Sequence, residues 1–232
     1  MADGFFDLWE MWPQRLCPHL HLPLQAGTDR QLRRMARRCT VESYRSLVAE
    51  ARAAIPDLVL TTDLIVGFPG ESEEDFEQGL AFCQRDALRP GPHAFRFSAR
   101  RGTAAAKFDG QLAKEVKKER SRRMHALVQE SGRRERERFV GAVRPVLWEA
   151  DNGELTDELG RVWTGFTDNY LRVRTVAPPD MDLHRTISPV QLEGIHADTL
   201  LGTIVRKSGD GPFTKASPEL HGRMDGKRWA TY

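Results

Sequence analysis

The sequence predicts an α/β fold in two parts, a parallel sheet built in β-α-β-α-β order and then a small all-β barrel. Three observations carry this reading. An aliphatic, β-branched run at 58–66 stops at Gly67-Phe68-Pro69-Gly70, after which Ser72 caps a helix opening on Glu73, Glu74 and Asp75, charges that a helix N-terminus favours. The intervals between the expected strands are long enough for crossover helices, as parallel pairing requires. Beyond Gly141, short strand patterns alternate with turn residues, the texture of a small antiparallel barrel of the oligonucleotide-binding kind.

Composition sets the frame for these elements. The chain has 232 residues, enough for one medium domain plus a small appendage. Hydrophobic residues at 40% and charged residues at 29% describe a globular protein with a polar surface, and no window approaches the roughly 18 apolar residues of a membrane span. The start has no apolar core of a secretory signal, so none is expected. Three cysteines, Cys17, Cys39 and Cys83, are odd in number and widely spaced. They argue against a disulfide framework, fit a reduced cytoplasm and make no metal-binding motif.

Taken in order, residues 5–12 read as a short amphipathic helix ended by Pro13. The alternation His19-Leu20-His21-Leu22, ahead of Pro23 and Gly27, reads as a strand with Gln25 at its polar exit. His19 and His21 share a face; with no third ligand suitably spaced, packed or hydrogen-bonded histidines are expected rather than a metal pair. Thr28 and Gln31 form a capping-box pattern for an arginine-rich helix, a second helix spans 41–54, and strands at 58–66 and 93–97 flank a helix at 73–85. Three strands cannot close a barrel, so residues 1–111 read as the second half of a larger one. A charged helix at 112–140 carries ten Lys and Arg against five Glu and reads as a solvated surface linker or, given that excess beside an RNA-binding-type barrel, as the flank of a phosphate backbone. Strands are expected at 143–149, 162–164, 170–176 and 190–195, with turns at Asp151-Asn152-Gly153 and Pro178-Pro179, forming a barrel over 141–206. Residues 207–232 read as a disordered tail.

Three stretches support a family resemblance. His19-Leu20-His21-Leu22-Pro23-Leu24-Gln25-Ala26-Gly27-Thr28-Asp29, Thr62-Asp63-Leu64-Ile65-Val66-Gly67-Phe68-Pro69-Gly70-Glu71 and Phe97-Ser98-Ala99-Arg100-Arg101-Gly102-Thr103 resemble, in order, signatures of the radical S-adenosylmethionine (SAM) methylthiotransferases. The resemblance extends over roughly residues 1–205 and includes a C-terminal segment similar to a TRAM domain. Gly165-Phe166-Thr167-Asp168-Asn169-Tyr170-Leu171-Arg172-Val173 resembles the TRAM signature of the branch acting on threonylcarbamoyladenosine at position 37 of tRNA. The isopentenyladenosine branch ranks second and the ribosomal protein S12 branch third. The implied fold is the C-terminal half of a partial (β/α) radical SAM barrel followed by a TRAM barrel.

The resemblance implies S-adenosylmethionine and two four-iron–four-sulfur clusters as cofactors. Their cysteine sets fall before the motifs present here and are missing, so a fragment inactive alone is expected. Departures are Ala99 and Ala104 where proline is usual, and Phe97 where tyrosine is usual. The chemistry is reductive cleavage to an adenosyl radical that takes hydrogen from a C–H bond. In this reading Gly67 lets the backbone approach adenine, Gln25 and Asp63 supply polar groups at strand exits, and Arg34 or Arg100 pairs with the cofactor carboxylate. Phe166, Asn169, Tyr170 and Arg172 are the candidates for gripping RNA, by stacking on bases or alternatively by filling the barrel core. The implied partners are a tRNA anticodon stem-loop, the missing N-terminal half and an electron donor, with no membrane. The rival reading is a non-catalytic RNA-binding module, with the half barrel as its scaffold.

Overall fold

The structure, a computed structural model, describes residues 4–85, 90–156 and 160–205. Helix α1 (Asp7–Met11) leads into strand β1 (His19–His21), helices α2 (Asp29–Arg34) and α3 (Val41–Ala54), strand β2 (Val59–Val66), helix α4 (Glu73–Arg85) and strand β3 (Pro90–Arg96). The strands pair in the order β1-β2-β3, and both pairs are parallel. The β-α-β-α-β order expected from the sequence is present. Strand β1 is shorter than the His/Leu alternation and its polar exit imply, because the Thr62 hydroxyl inserts where the ladder would continue, donating to the Leu22 carbonyl and accepting the Leu24 N–H. Gln25 rejoins the sheet by one bridge to Leu64, with a left-handed φ of 81°.

Period two along β2 sends Leu60, Leu64 and Val66 to one face, where they pack with Tyr44, Val48, Phe76 and Leu80. Thr61, Asp63 and Ile65 occupy the other face, and the register sets His21 beside Thr61 and His93 beside Asp63. Side-chain caps fix the helix entrances. Thr28 accepts the Gln31 N–H, yet the Gln31 amide donates to Asp75 instead of returning to complete a capping box. Ser72 Oγ accepts the Asp75 N–H at 3.1 Å while the Asp75 carboxylate accepts the Ser72 N–H at 2.9 Å.

Helix α5 (Lys114–Glu137) adds Met124 to the first core and then leads into the second unit. There β4 (Val143–Thr156), β5 (Gly160–Thr167), β6 (Arg172–Ala177), β7 (Ile187–His196) and β8 (Thr199–Ile204) close a barrel in the order β4-β5-β6-β8-β7. The pairs are antiparallel except β6–β8. The turn expected at 151–153 lies inside β4, where the register with β5 shifts between Asp151 and Leu155. Asp-Asn-Gly there serves an irregular strand rather than a reversal. Strand β8 escaped the sequence pattern, and residues 207–232 fall outside those described.

The two units share a packed joint. Val59, at the start of β2, is fully buried with Phe139, Trp148, Val173 and Leu192 of the barrel core. Beside it Arg144 bridges Asp57 at 2.6 Å and Asp168 at 2.8 Å, and the Asn169 amide donates to the Asp57 carbonyl. The barrel therefore meets the sheet at the N-terminal ends of its strands.

Asp75 ties α2 to α4. Its carboxylate, 8% exposed, accepts from Thr28 Oγ1, the Arg30 guanidinium, Gln31 Nε2 and Ser72. Burial opposes its charge, but hydrogen bonds from Arg30, Ser72 and Gln31 outweigh it and hold the carboxyl well below the usual aspartate range. Because the folded value is depressed, this stabilisation is present above the ordinary aspartate range and is lost as pH falls through and below it. Asp75→Ala is expected to cost about 2–4 kcal/mol at neutral pH. In urea titrations at neutral and acidic pH, its deficit relative to the parent should shrink on acidification; a constant deficit would contradict this role.

Candidate functional site

The C-terminal ends of parallel strands are where such sheets place ligands; Gly67 directly follows β2, while Asp63 and the Gln25 bridge to Leu64 fall three and two positions short of its last residue, Val66. The Gln25 N–H donates to the Asp63 carbonyl at 2.8 Å and the Gln25 carbonyl accepts the Ile65 N–H at 2.9 Å. The side chain of Asp63 lies 3.4 Å from His21 Nε2. Phe97 continues the edge by donating its N–H to Val66 O, which carries exposed Arg100 to the same end of the sheet. Arg34 reaches the loop as well, but its guanidinium donates to the carbonyls of Pro69 at 2.7 Å and Asp109 at 2.8 Å while lying over the Phe108 ring. It is a clamp between α2, the glycine loop and the segment before α5.

Gly67 is required by its φ of +74°. A second reason is Lys117, whose stem occupies the space a Cβ would need, while its ammonium sits 5.9 Å from the Phe97 ring centroid. The missing side chain admits α5 against the loop. Below it, the Gly67 N–H donates to Glu71 Oε2 at 2.8 Å. That carboxylate receives Arg120 Nη1 at 2.7 Å, and Arg120 also donates to the Glu71 carbonyl and to Glu73. The Arg120 and Glu71 side chains are 7% and 8% exposed. Burial pushes the Glu71 carboxyl above its ordinary range although Arg120 and the Gly67 N–H both pull it down. Sequence reasoning missed Arg120, because no local pattern links it to an acid 49 positions earlier.

The predicted RNA-side residues gather at the opposite end of the sheet. The eight residues of β2 separate the two ends by about 25 Å at roughly 3.3 Å per residue. Phe166 stacks on Tyr170 at 4.8 Å and 15°, and pairs in register with exposed Arg172. Tyr170, with φ +68° and 55% exposed, also stacks on His19 at 4.7 Å. Asn169 is fully buried, accepting from Thr167 Oγ1 and donating to Asp57 O. His19 and His21 share the Thr61 hydroxyl at 3.2 and 2.9 Å, the hydrogen-bonded arrangement expected from their strand face. Burial, with His21 and His93 nearby, pulls His19 below the ordinary histidine range.

Cys17 and Cys39 are exposed and Cys83 is buried. Among the described residues no three His, Cys, Asp or Glu gather where they would hold a metal ion, so these residues do not fit an iron–sulfur cluster. Nor is any described helix long and apolar enough to cross a membrane.

The Arg120–Glu71 contact predicts a local effect. Arg120→Ala should lower stability by about 3–5 kcal/mol by leaving a buried carboxylate unpaired. It should also accelerate hydrogen exchange of the Gly67 amide more than that of Val162 in the barrel, with Arg120→Lys intermediate because lysine lacks the fork. Unchanged Gly67 protection in Arg120→Ala would refute the contact's role.

Comparison with known proteins fits this geometry. Residues 7–83 match the model of the Radical SAM superfamily. The chain is 40% identical over 166 residues to the tRNA-2-methylthio-N(6)-dimethylallyladenosine synthase of Geobacillus thermodenitrificans, covering 72% of this chain and 31% of that protein. For the synthase of the same name from Acetivibrio thermocellus the identity is 38%, covering 83% of this chain and 39% of that protein. For that of Methylobacillus flagellatus it is 36%, covering 88% and 45%. These names favour the isopentenyladenosine branch, ranked second from sequence, over the threonylcarbamoyladenosine branch ranked first. The stretch that set that ranking is largely architectural: a Cβ at Gly165 would collide with the Leu147 backbone, while Thr167, Asn169 and Leu171 are buried and hydrogen-bonded. Such residues report how the barrel folds and docks more than which base it meets. By these two comparisons, residues 7–83 match the Radical SAM superfamily, and the chain is similar to bacterial tRNA-2-methylthio-N(6)-dimethylallyladenosine synthases over less than half of their length.

Proposed function

We propose that this chain supplies the cofactor-edge and RNA-gripping part of a tRNA methylthiotransferase that adds a methylthio group at C2 of N6-dimethylallyladenosine. The observation that carries the reading is similarity running through both units, over 72% to 88% of the chain, to synthases that share one name. Residues 1–111 act as the C-terminal half of the radical SAM barrel, 112–140 as the connecting helix and 141–206 as a TRAM-like barrel. S-adenosylmethionine and four-iron–four-sulfur clusters are the cofactors of the complete enzyme. When bound, S-adenosylmethionine supplies the radical that activates a C–H bond.

The chain's own residues orient and exclude. Gln25 and Asp63 present polar groups to the cofactor at the ends of their strands. Gly67 holds the loop turned under Lys117, Arg34 clamps that loop, and Arg100 is the remaining candidate for the cofactor carboxylate. At the barrel, Phe166, Tyr170 and Arg172 offer stacking and phosphate contacts to RNA, and Asn169 fixes the turn that presents them. The partners are the tRNA anticodon stem-loop, a polypeptide bearing the cluster cysteines and an electron donor, all in the cytoplasm.

A chimera tests this. The chain replaces the homologous C-terminal part of a dimethylallyladenosine synthase in a bacterium lacking that enzyme, and tRNA nucleosides are resolved by mass spectrometry. Return of 2-methylthio-N6-dimethylallyladenosine is expected. Methylthiolation of threonylcarbamoyladenosine instead would support the other tRNA branch, and no methylthiolated adenosine from a stably expressed chimera would overturn the proposal.

A further inference from the structure

In the sequence the most conspicuous positive charge is on the long helix, whose ten cations outnumber its five acids. The structure redistributes that charge. Arg120 and Arg123 are paired with Glu71, Glu73 and Glu77, acids that lie outside the helix. Arg122, Arg133 and Arg134 are paired within it, to Glu119, Glu130 and Glu137. Most of the apparent excess is therefore compensated by structure.

A second group of exposed cations lies outside the body of that helix, with Lys114 at its first residue. Arg33, Arg37, Arg38, Arg101, Lys107 and Lys114 are exposed, and none has a side-chain partner among the described residues. Contacts between their segments bring them together. Arg34 joins the end of α2 to Pro69, Asp109 and Phe108. Gly70 donates its N–H to Gly110 O at 2.7 Å, and Phe68 packs on both Phe97 and Phe108. Lys117, one turn beyond Lys114, covers Gly67. The six cations thus rim the C-terminal edge of the sheet, with Asp109 and Glu115 as the exposed acids among them. Asp29, in the same helix as Arg33, caps α3 by accepting the Val41 N–H.

We propose that this rim, rather than the outer face of α5, is the surface that engages the RNA phosphate backbone. Four of the six are arginines, whose forks match phosphate oxygens. They surround the sheet end where Gln25 and Asp63 lie, so an RNA delivering a base there must pass them. The choice of RNA rests on the proposed function; the placement of the charge does not.

The test uses the full chain and a synthetic RNA stem-loop, with affinity measured across a salt series. Two rim variants, R33Q/R37Q/R38Q and R101Q/K107Q/K114Q, are compared with the helix variant R122Q/R133Q/R134Q. Each rim variant is expected to bind about tenfold or more weakly and to lower the slope of log K against log salt by about 2, since each lost phosphate contact removes roughly 0.7–0.9. The helix variant should change neither. All nine positions are surface side chains, and matched thermal melting confirms folding. A rim slope equal to the parent's, or an equal loss in the helix variant, overturns the proposal, as does charge-dependent binding to anionic lipid vesicles without RNA binding. Failure of the chimera with the rim effect intact would remove the methylthiotransferase reading and leave the rim.

Discussion

A buried guanidinium holds the candidate edge in shape. Arg120 reaches from α5 to the Glu71 carboxylate at 2.7 Å, and the same carboxylate receives the Gly67 N–H at 2.8 Å. Three things depend on this contact: the turn that ends β2, the seat of α5 on the sheet and the space that Lys117 fills over Gly67. Such a pair gains little net stability over an apolar isostere, but breaking one side is costly because a bare buried charge remains. Its effect here is specification. A helix outside the matched radical SAM segment fixes the loop at the end of that segment's main strand.

The joint between the units obeys similar logic at the other end of β2. Val59 belongs to the sheet by pairing and to the barrel by packing. Arg144 adds charge to that contact by linking Asp57 to Asp168, and the Asn169 amide donates to the Asp57 carbonyl. The barrel is thereby tied to the bottom of the sheet, and its aromatic stack sits far from the sheet's C-terminal edge. In the proposed enzyme the RNA spans both ends, so the rim arginines and the Tyr170 stack are complementary contacts.

Local patterns in the sequence disclosed most of the elements. The strand at 59–66 and the helix at 73–85 are readable from a β-branched run, a glycine loop and a capping serine. The barrel was readable from repeated short strands, though Asp151-Asn152-Gly153 misled because turn residues also serve bulges. The long-range partners were not readable. Arg120 meets Glu71 across 49 positions and Asn169 meets Asp57 across 112, and nothing adjacent to either announces it. In the same way, counting charges along α5 ignores the acids that α4 and its loop bring to it.

The claim that α5 locks the glycine loop through Arg120 and Glu71 is tested most directly by a double-mutant cycle. Arg120→Met and Glu71→Gln are measured singly and together by chemical denaturation of the full chain. Dependence of one residue on the other predicts a coupling of about 2–3 kcal/mol, with the double variant little worse than either single one. Losses that add to within about 0.5 kcal/mol would contradict it.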